Sequence, residues 1–125
     1  MTASSPAMPA CFIVRARVLD PAAKEAFDRW YRDEHLPEAL EAFGAKRAWR
    51  GWSDLDPLLH YAFYELADLE AARAIQGSRG LKRLTAEFDR VWGDRVRRER
   101  DFVQAVQALR GRRSAQPRTG NVPTR

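Results

Sequence analysis

The apolar residues of this chain change period in a fixed order, and that order restricts the fold more than any other feature. Residues 11–18 (CFIVRARV) alternate, with Phe12, Val14, Ala16 and Val18 on one face and Cys11, Ile13, Arg15 and Arg17 on the other, as a strand with one buried side requires. Asp20-Pro21 then opens a helix, because an aspartate caps free N–H groups and proline is preorganised for the first turn. Helical spacing predicts a helix from Pro21 to Phe43, with Ala23, Ala26, Phe27, Trp30 and Tyr31 as its apolar stripe and Gly44 as its stop. A second strand is expected over residues 45–53 and a third over residues 59–66, joined by the turn-rich Ser53–Pro57. Asp68 can cap a second helix from Leu69. Gly77–Gly80 interrupts it, and Ser78 can cap the continuation through Leu81, Leu84, Phe88, Val91 and Trp92. Residues 101–109 (DFVQAVQAL) are expected as the fourth strand.

Strand, helix, strand, strand, helix, strand is the ferredoxin-like βαββαβ unit of the α+β class. Its four-stranded antiparallel sheet carries both helices on one face and leaves the other open. An open face bearing Ile13 and strand aromatics needs a partner, and a homodimer joined sheet to sheet is expected.

Composition bounds the rest. At 125 residues, 45% hydrophobic and 31% charged, the chain suits one soluble domain. The expected organisation is a disordered leader over 1–10, a domain over 11–109 and a disordered basic tail over 110–125. The tail holds five arginines and no acid, which accounts for the whole net charge of +5 and leaves residues 1–109 neutral. A nucleic-acid-binding domain should carry its basic patch on the fold, so no nucleic acid is expected as a partner. No apolar run approaches the roughly 20 residues of a membrane span, so no membrane contact is expected. One cysteine fits a reducing cytoplasm. One cysteine and two histidines are too few for a zinc site, so no metal is expected.

Chemistry concentrates in residues 30–40 (WYRDEHLPEAL). Pro37 cannot donate to the carbonyl of Asp33 and its ring presses on it, so the helix should kink or break near residues 33–36. Phe27, Tyr31 and His35 are four apart and share a stripe. A break at that point redirects His35, whose imidazole titrates near neutrality and can exchange a proton with a ligand. The alternative is a structural histidine that satisfies the broken turn.

The run Phe27–Pro37 resembles the WYxxEHxP signature of EthD-like proteins in the dimeric α/β-barrel superfamily. The helix-break-helix of residues 77–89 resembles the same group, so the likeness extends over roughly residues 11–109. It implies a dimeric α/β barrel with a pocket between the first helix and the sheet. The superfamily includes monooxygenases without cofactors, lactone isomerases, polyketide cyclases and dehydratases. Family membership thus implies the fold better than the reaction. By motif match, His35 carries over as the candidate catalytic residue.

Trp30, Tyr31, His60, Tyr64 and Trp49 are the candidate substrate-binding residues. Tyr31 and Tyr64 can donate a hydrogen bond from an apolar wall, and each also serves as core packing. His60 and Tyr64 share one face of the third strand; Trp49 and Trp52 lie on opposite faces of the second. The expected ligand is a small apolar cyclic or aromatic metabolite, transformed without a cofactor by oxygenation, isomerisation or cyclisation, or simply held by a non-catalytic accessory module.

Overall fold

A computed structural model describes residues 8–112. The leader and tail expectations for residues 1–7 and 113–125 lie outside the described residues. The elements are β1 (Ala10–Val18), a 3-10 turn (Pro21–Ala23), α1 (Lys24–Trp30), a π-helical turn (Tyr31–His35), α2 (Leu36–Phe43), β2 (Arg47–Trp52), β3 (Leu59–Leu66), α3 (Leu69–Ile75), α4 (Arg79–Trp92) and, after the 3-10 turn Gly93–Arg95, β4 (Val96–Gln104). The four strands form one antiparallel sheet in the order β2-β3-β1-β4, with the helices on one face. This is the predicted ferredoxin-like arrangement.

The caps stand where the sequence puts them. Asp20 accepts from Ala22 N–H, Asp68 from Ala71 N–H and Ser78 from Leu81 N–H. Gly44 ends α2 in the left-handed region at φ 62°, which glycine adopts without steric cost. Gly80 has a different reason to lack a side chain: a Cβ there would lie 3.2 Å from Ala42 Cβ, so α4 crosses α2 in close contact.

The first helix is continuous in path but not in hydrogen bonding. Leu36 N–H reaches back five residues to the Tyr31 carbonyl, which makes one wide turn of Tyr31–His35. Pro37 then falls in the first turn of α2, where its missing N–H costs nothing. The proline therefore produces a π turn in place of the expected kink. Ala26, expected on the buried stripe, is exposed.

The fourth strand departs from expectation. It spans Val96–Gln104, and Val106 and Leu109, expected within it, are 92% and 84% exposed. Its residues 97–101 (RRERD) are all charged, which hides the alternation that marks a strand. An edge strand tolerates such a run because one side is solvated and arginine stems cover apolar neighbours. At the other end, β1 starts at Ala10, inside the expected leader, and the Pro9 carbonyl accepts from Ala105 N–H.

Phe12, Val14, Ala16 and Val18 face the helices, as do His60, Ala62, Tyr64 and Leu66, and all are buried. They meet Phe27, Tyr31, Leu84, Phe88 and Trp92 in one core. The outer face carries the stacked rings of Trp49, Phe63 and Tyr61, and the cross-strand ion pairs Arg15–Glu99 and Arg47–Glu65.

Candidate functional site

Strand register builds the floor of the site. Ala16 pairs with His60 on one side and Arg98 on the other, and Val14 pairs with Ala62 and Arg100. The next inner row joins Tyr64, Phe12 and Phe102. Small residues thus occupy the centre of the sheet, with His60, Tyr64, Arg98 and Arg100 around them. Tyr31 and His35 reach this side of the sheet from the π turn, and His35 borders one cavity with Val14. The Tyr31 ring lies 4.4 Å from the His60 ring and 4.8 Å from the His35 ring, between centroids.

His35 stacks on Trp30 at 4.6 Å and meets Phe88 of α4 edge-on at 5.6 Å. It is 8% exposed. Burial, helped by the nearby Arg98 charge, pushes its pKa from 6.5 down to about 4, so the ring is neutral at pH 7. Glu34, its neighbour in sequence, points to solvent.

His60 is fully buried and held from the opposite side. Arg50 Nη1 lies 3.2 Å from its Nε2 and 2.9 Å from Asp28 Oδ1, and Trp52 Nε1 donates to the same carboxylate oxygen at 2.8 Å. A guanidinium can only donate, so His60 Nε2 is the acceptor and the proton of the neutral ring sits on Nδ1. Burial, with the charge of Arg50, lowers the His60 pKa to about 3. Against the opposing effect of burial, the bonds from Trp52 and Arg50 hold Asp28 below the usual carboxylate range.

His35 Nδ1, His60 Nδ1 and Trp92 Nε1 are buried without a hydrogen-bond partner among the described residues, and the buried Tyr31 and Tyr64 hydroxyls have no partner beyond each other. Burial pushes the Tyr31 hydroxyl up to about 12 and that of Tyr64 well above its ordinary value, so both remain protonated donors. Each unpaired buried polar group costs about 1–3 kcal/mol. Their concentration in one place sets this region apart from an ordinary core.

A cavity of about 20 Å³ adjoins His35, Tyr64, Leu84 and Phe88, with Arg98 and Arg100 at its edge. That volume suits one water-sized group. Leu81, Arg98 and Arg100 also line an open groove of about 500 Å³ that runs past Gln76, Asp101 and Phe102. Arg98 lies over the Phe88 ring at 4.5 Å and pairs with Asp89 at 3.3 Å; Arg100 donates to Thr85 Oγ1 at 2.6 Å.

Of the residues singled out in the sequence, the structure brings Trp30, Tyr31, His35, His60 and Tyr64 to one side of the sheet. Trp49 lies on the other side, 48% exposed and stacked on Phe63 at 4.0 Å. It shares no wall with His35. Asp28, Arg50, Arg98 and Arg100 were not foreseen. Arg50 shares a strand face with Trp52, which was legible; the two β4 arginines were hidden by the misplaced strand. Among the described residues no three His, Cys, Asp or Glu side chains converge as a metal site.

No protein-family model matches the chain, and no curated protein does. Solved structures do. An EthD family protein from Bacillus halodurans superposes with a TM-score of 0.58 at 16% identity, covering 75% of this chain and 97% of its own. The chain has an EthD-like fold. HapK from Hahella chejuensis gives a TM-score of 0.59 at 17% identity, over 85% of this chain and 99% of its own. SnoaB from Streptomyces nogalater, a cofactor-independent oxygenase, gives 0.53 at 18% identity, over 82% and 98%. In this chain the run Trp30–Pro37 comprises the π turn and its flanks, so the expected motif and the wide turn coincide.

Proposed function

We propose that this protein binds a small apolar cyclic or aromatic metabolite beside His35 and transforms it without a cofactor, by oxygenation, isomerisation or cyclisation. The observation that carries this reading is the convergence of buried polar atoms short of hydrogen-bond partners on His35, His60, Tyr31 and Tyr64. Buried polar atoms are normally hydrogen-bonded, and a polar ligand atom beside His35 would supply a partner. A neutral His35 can accept a proton from an acidic C–H or O–H group, and the Arg98 guanidinium beside it favours the resulting anion. An anion at that position offsets the arginine charge and raises the basicity of His35 when ligand is present. The likeness to SnoaB supports chemistry without a cofactor.

The second reading is a non-catalytic ligand-binding or accessory module, which uses the same site without proton transfer. In both readings the protein is a cytoplasmic homodimer joined through Trp49, Phe63 and their neighbours. The free thiol of Cys11 and the stacked open face support the compartment and the dimer. No helix among the described residues is long and apolar enough to cross a membrane.

The test is turnover of a panel of phenols, enolisable cyclic ketones and lactones by the wild type and by His35→Phe. Product formed by the wild type and lost in the variant supports the enzyme. Equal turnover by both removes His35 from the mechanism. Binding of panel compounds without any product selects the accessory module.

A further inference from the structure

Arg98 and Arg100 both face the helices, across the sheet from the carboxylates of the outer face, where Glu99 pairs with Arg15. The acid paired with them on their own side is Asp89, which is 61% exposed and reaches Arg98. Among the described residues, Arg100 bonds only the neutral Thr85 hydroxyl. The two guanidinium groups face one paired carboxylate, Asp89, while Asp101, which also borders the groove, accepts from Phe102 N–H; the Arg100 guanidinium is left without an acid partner among the described residues. It stands at the edge of a cavity whose other walls are Leu84, Phe88 and the neutral, unpaired His35. An apolar space with one excess guanidinium and a free imidazole nitrogen is complementary to a single negative charge on a planar ring.

We infer that Arg98 and Arg100 form an anion subsite, and that the ligand is a cyclic compound held as its monoanion, with one phenolate or enolate oxygen between the guanidinium groups and His35. The volumes are consistent with one pose. The 20 Å³ cavity takes the oxygen, and the ring lies in the 500 Å³ groove along Leu81 and Phe102. This inference rests on the ligand-binding reading above and names the ionisation state that reading leaves open. Arg98 and Arg100 are binding and positioning groups; the proton chemistry belongs to His35.

The probe is 4-nitrophenol, whose phenolate is read directly by visible absorbance. It is titrated with full-length protein, and binding is measured separately by equilibrium dialysis. The expected result is an apparent pKa of the bound phenol lowered by about 1 unit, the effect of an adjacent cation. Arg100→Gln should remove most of that shift. Arg83→Gln, an equal charge change at an exposed α4 position away from the cavity, should keep it. Arg98→Lys preserves the charge and should keep a shift if Arg98→Gln fails to fold. Binding with no shift, or with the pKa raised, overturns the anion subsite while leaving the ligand-binding reading in place. An equal loss in Arg83→Gln also overturns it, because the effect is then one of overall charge. Absence of both binding and shift at millimolar probe overturns the two together.

Discussion

His35 stacks on Trp30, five residues before it, with ring centroids 4.6 Å apart and planes 19° apart. In a regular α-helix the neighbours of His35 are three and four residues away. The π turn adds the fifth, so one imidazole is gripped by Trp30 on its face and by Tyr31 at its edge. Its orientation is set by rings and its Nδ1 is left without a partner.

That combination makes His35→Phe informative. Phenylalanine keeps the stack and removes the unpaired nitrogen. Stability in urea should hold or rise by about 1–2 kcal/mol, while turnover or ligand proton exchange is lost. A variant both less stable and fully active would mark His35 as structural.

Acid sensitivity follows from the two buried histidines. Their folded-state pKa values, about 4 for His35 and about 3 for His60, lie below the unfolded value near 6.5. The unfolded chain therefore binds protons first as pH falls. The contribution of these neutral rings is fully present above about pH 6.5 and declines as pH falls from there toward the folded values, by up to about 1.4 kcal/mol per pH unit for each histidine. Guanidinium midpoints between pH 7 and pH 4.5 should fall, and His35→Phe should flatten the slope by roughly half. An unchanged slope would show that His35 titrates normally.

Arg50 joins three partners at once: Asp28, His60 Nε2 and the Tyr31 ring, 5.9 Å away. Arg50→Met should cost about 1–3 kcal/mol, since it strands a carboxylate and a buried ring nitrogen. The half-exposed setting of Asp28 keeps the figure below that of a buried pair. NMR titration should find His60 protonating at higher pH than in the wild type, because the arginine charge opposing it is gone.

On the outer face, Trp49 and Phe63 stack at 4.0 Å with half of the Trp49 surface exposed. Light scattering at micromolar concentration should give the mass of a dimer, and Trp49→Glu should give that of a monomer. A monomeric wild type would leave the open face without the partner proposed for it.

The sequence made the sheet face pattern, the caps and the strand-helix order legible because each rests on local chemistry. Asp68 and Ser78 cap where they stand alone, and Phe12, Val14, Ala16 and Val18 alternate without interruption. The charged run Arg97–Asp101 defeated the same method, because its alternation lies in what the stems cover and not in polarity. Arg98 and Arg100 were lost with it. Pro37 signalled a disturbance but not its form, since a kink and a π turn both relieve the missing N–H. The Asp28–Arg50–His60 network joins α1 to a hairpin more than 20 positions later, as the Arg50–Asp28 separation of 22 shows. Nothing in local spacing announces such a contact.

The wide turn at Tyr31–His35 amounts to one residue inserted into a helix. Each residue of an α-helix advances about 100° around the axis. Aligned without a gap against a relative whose helix lacks the turn, this chain is therefore out of phase from Leu36 onward. Ala39, buried here, would be matched to a position about 100° around the helix, and Glu38 to the core. Where a relative lacks the turn, faithful alignment in this helix requires a one-residue gap beside the motif.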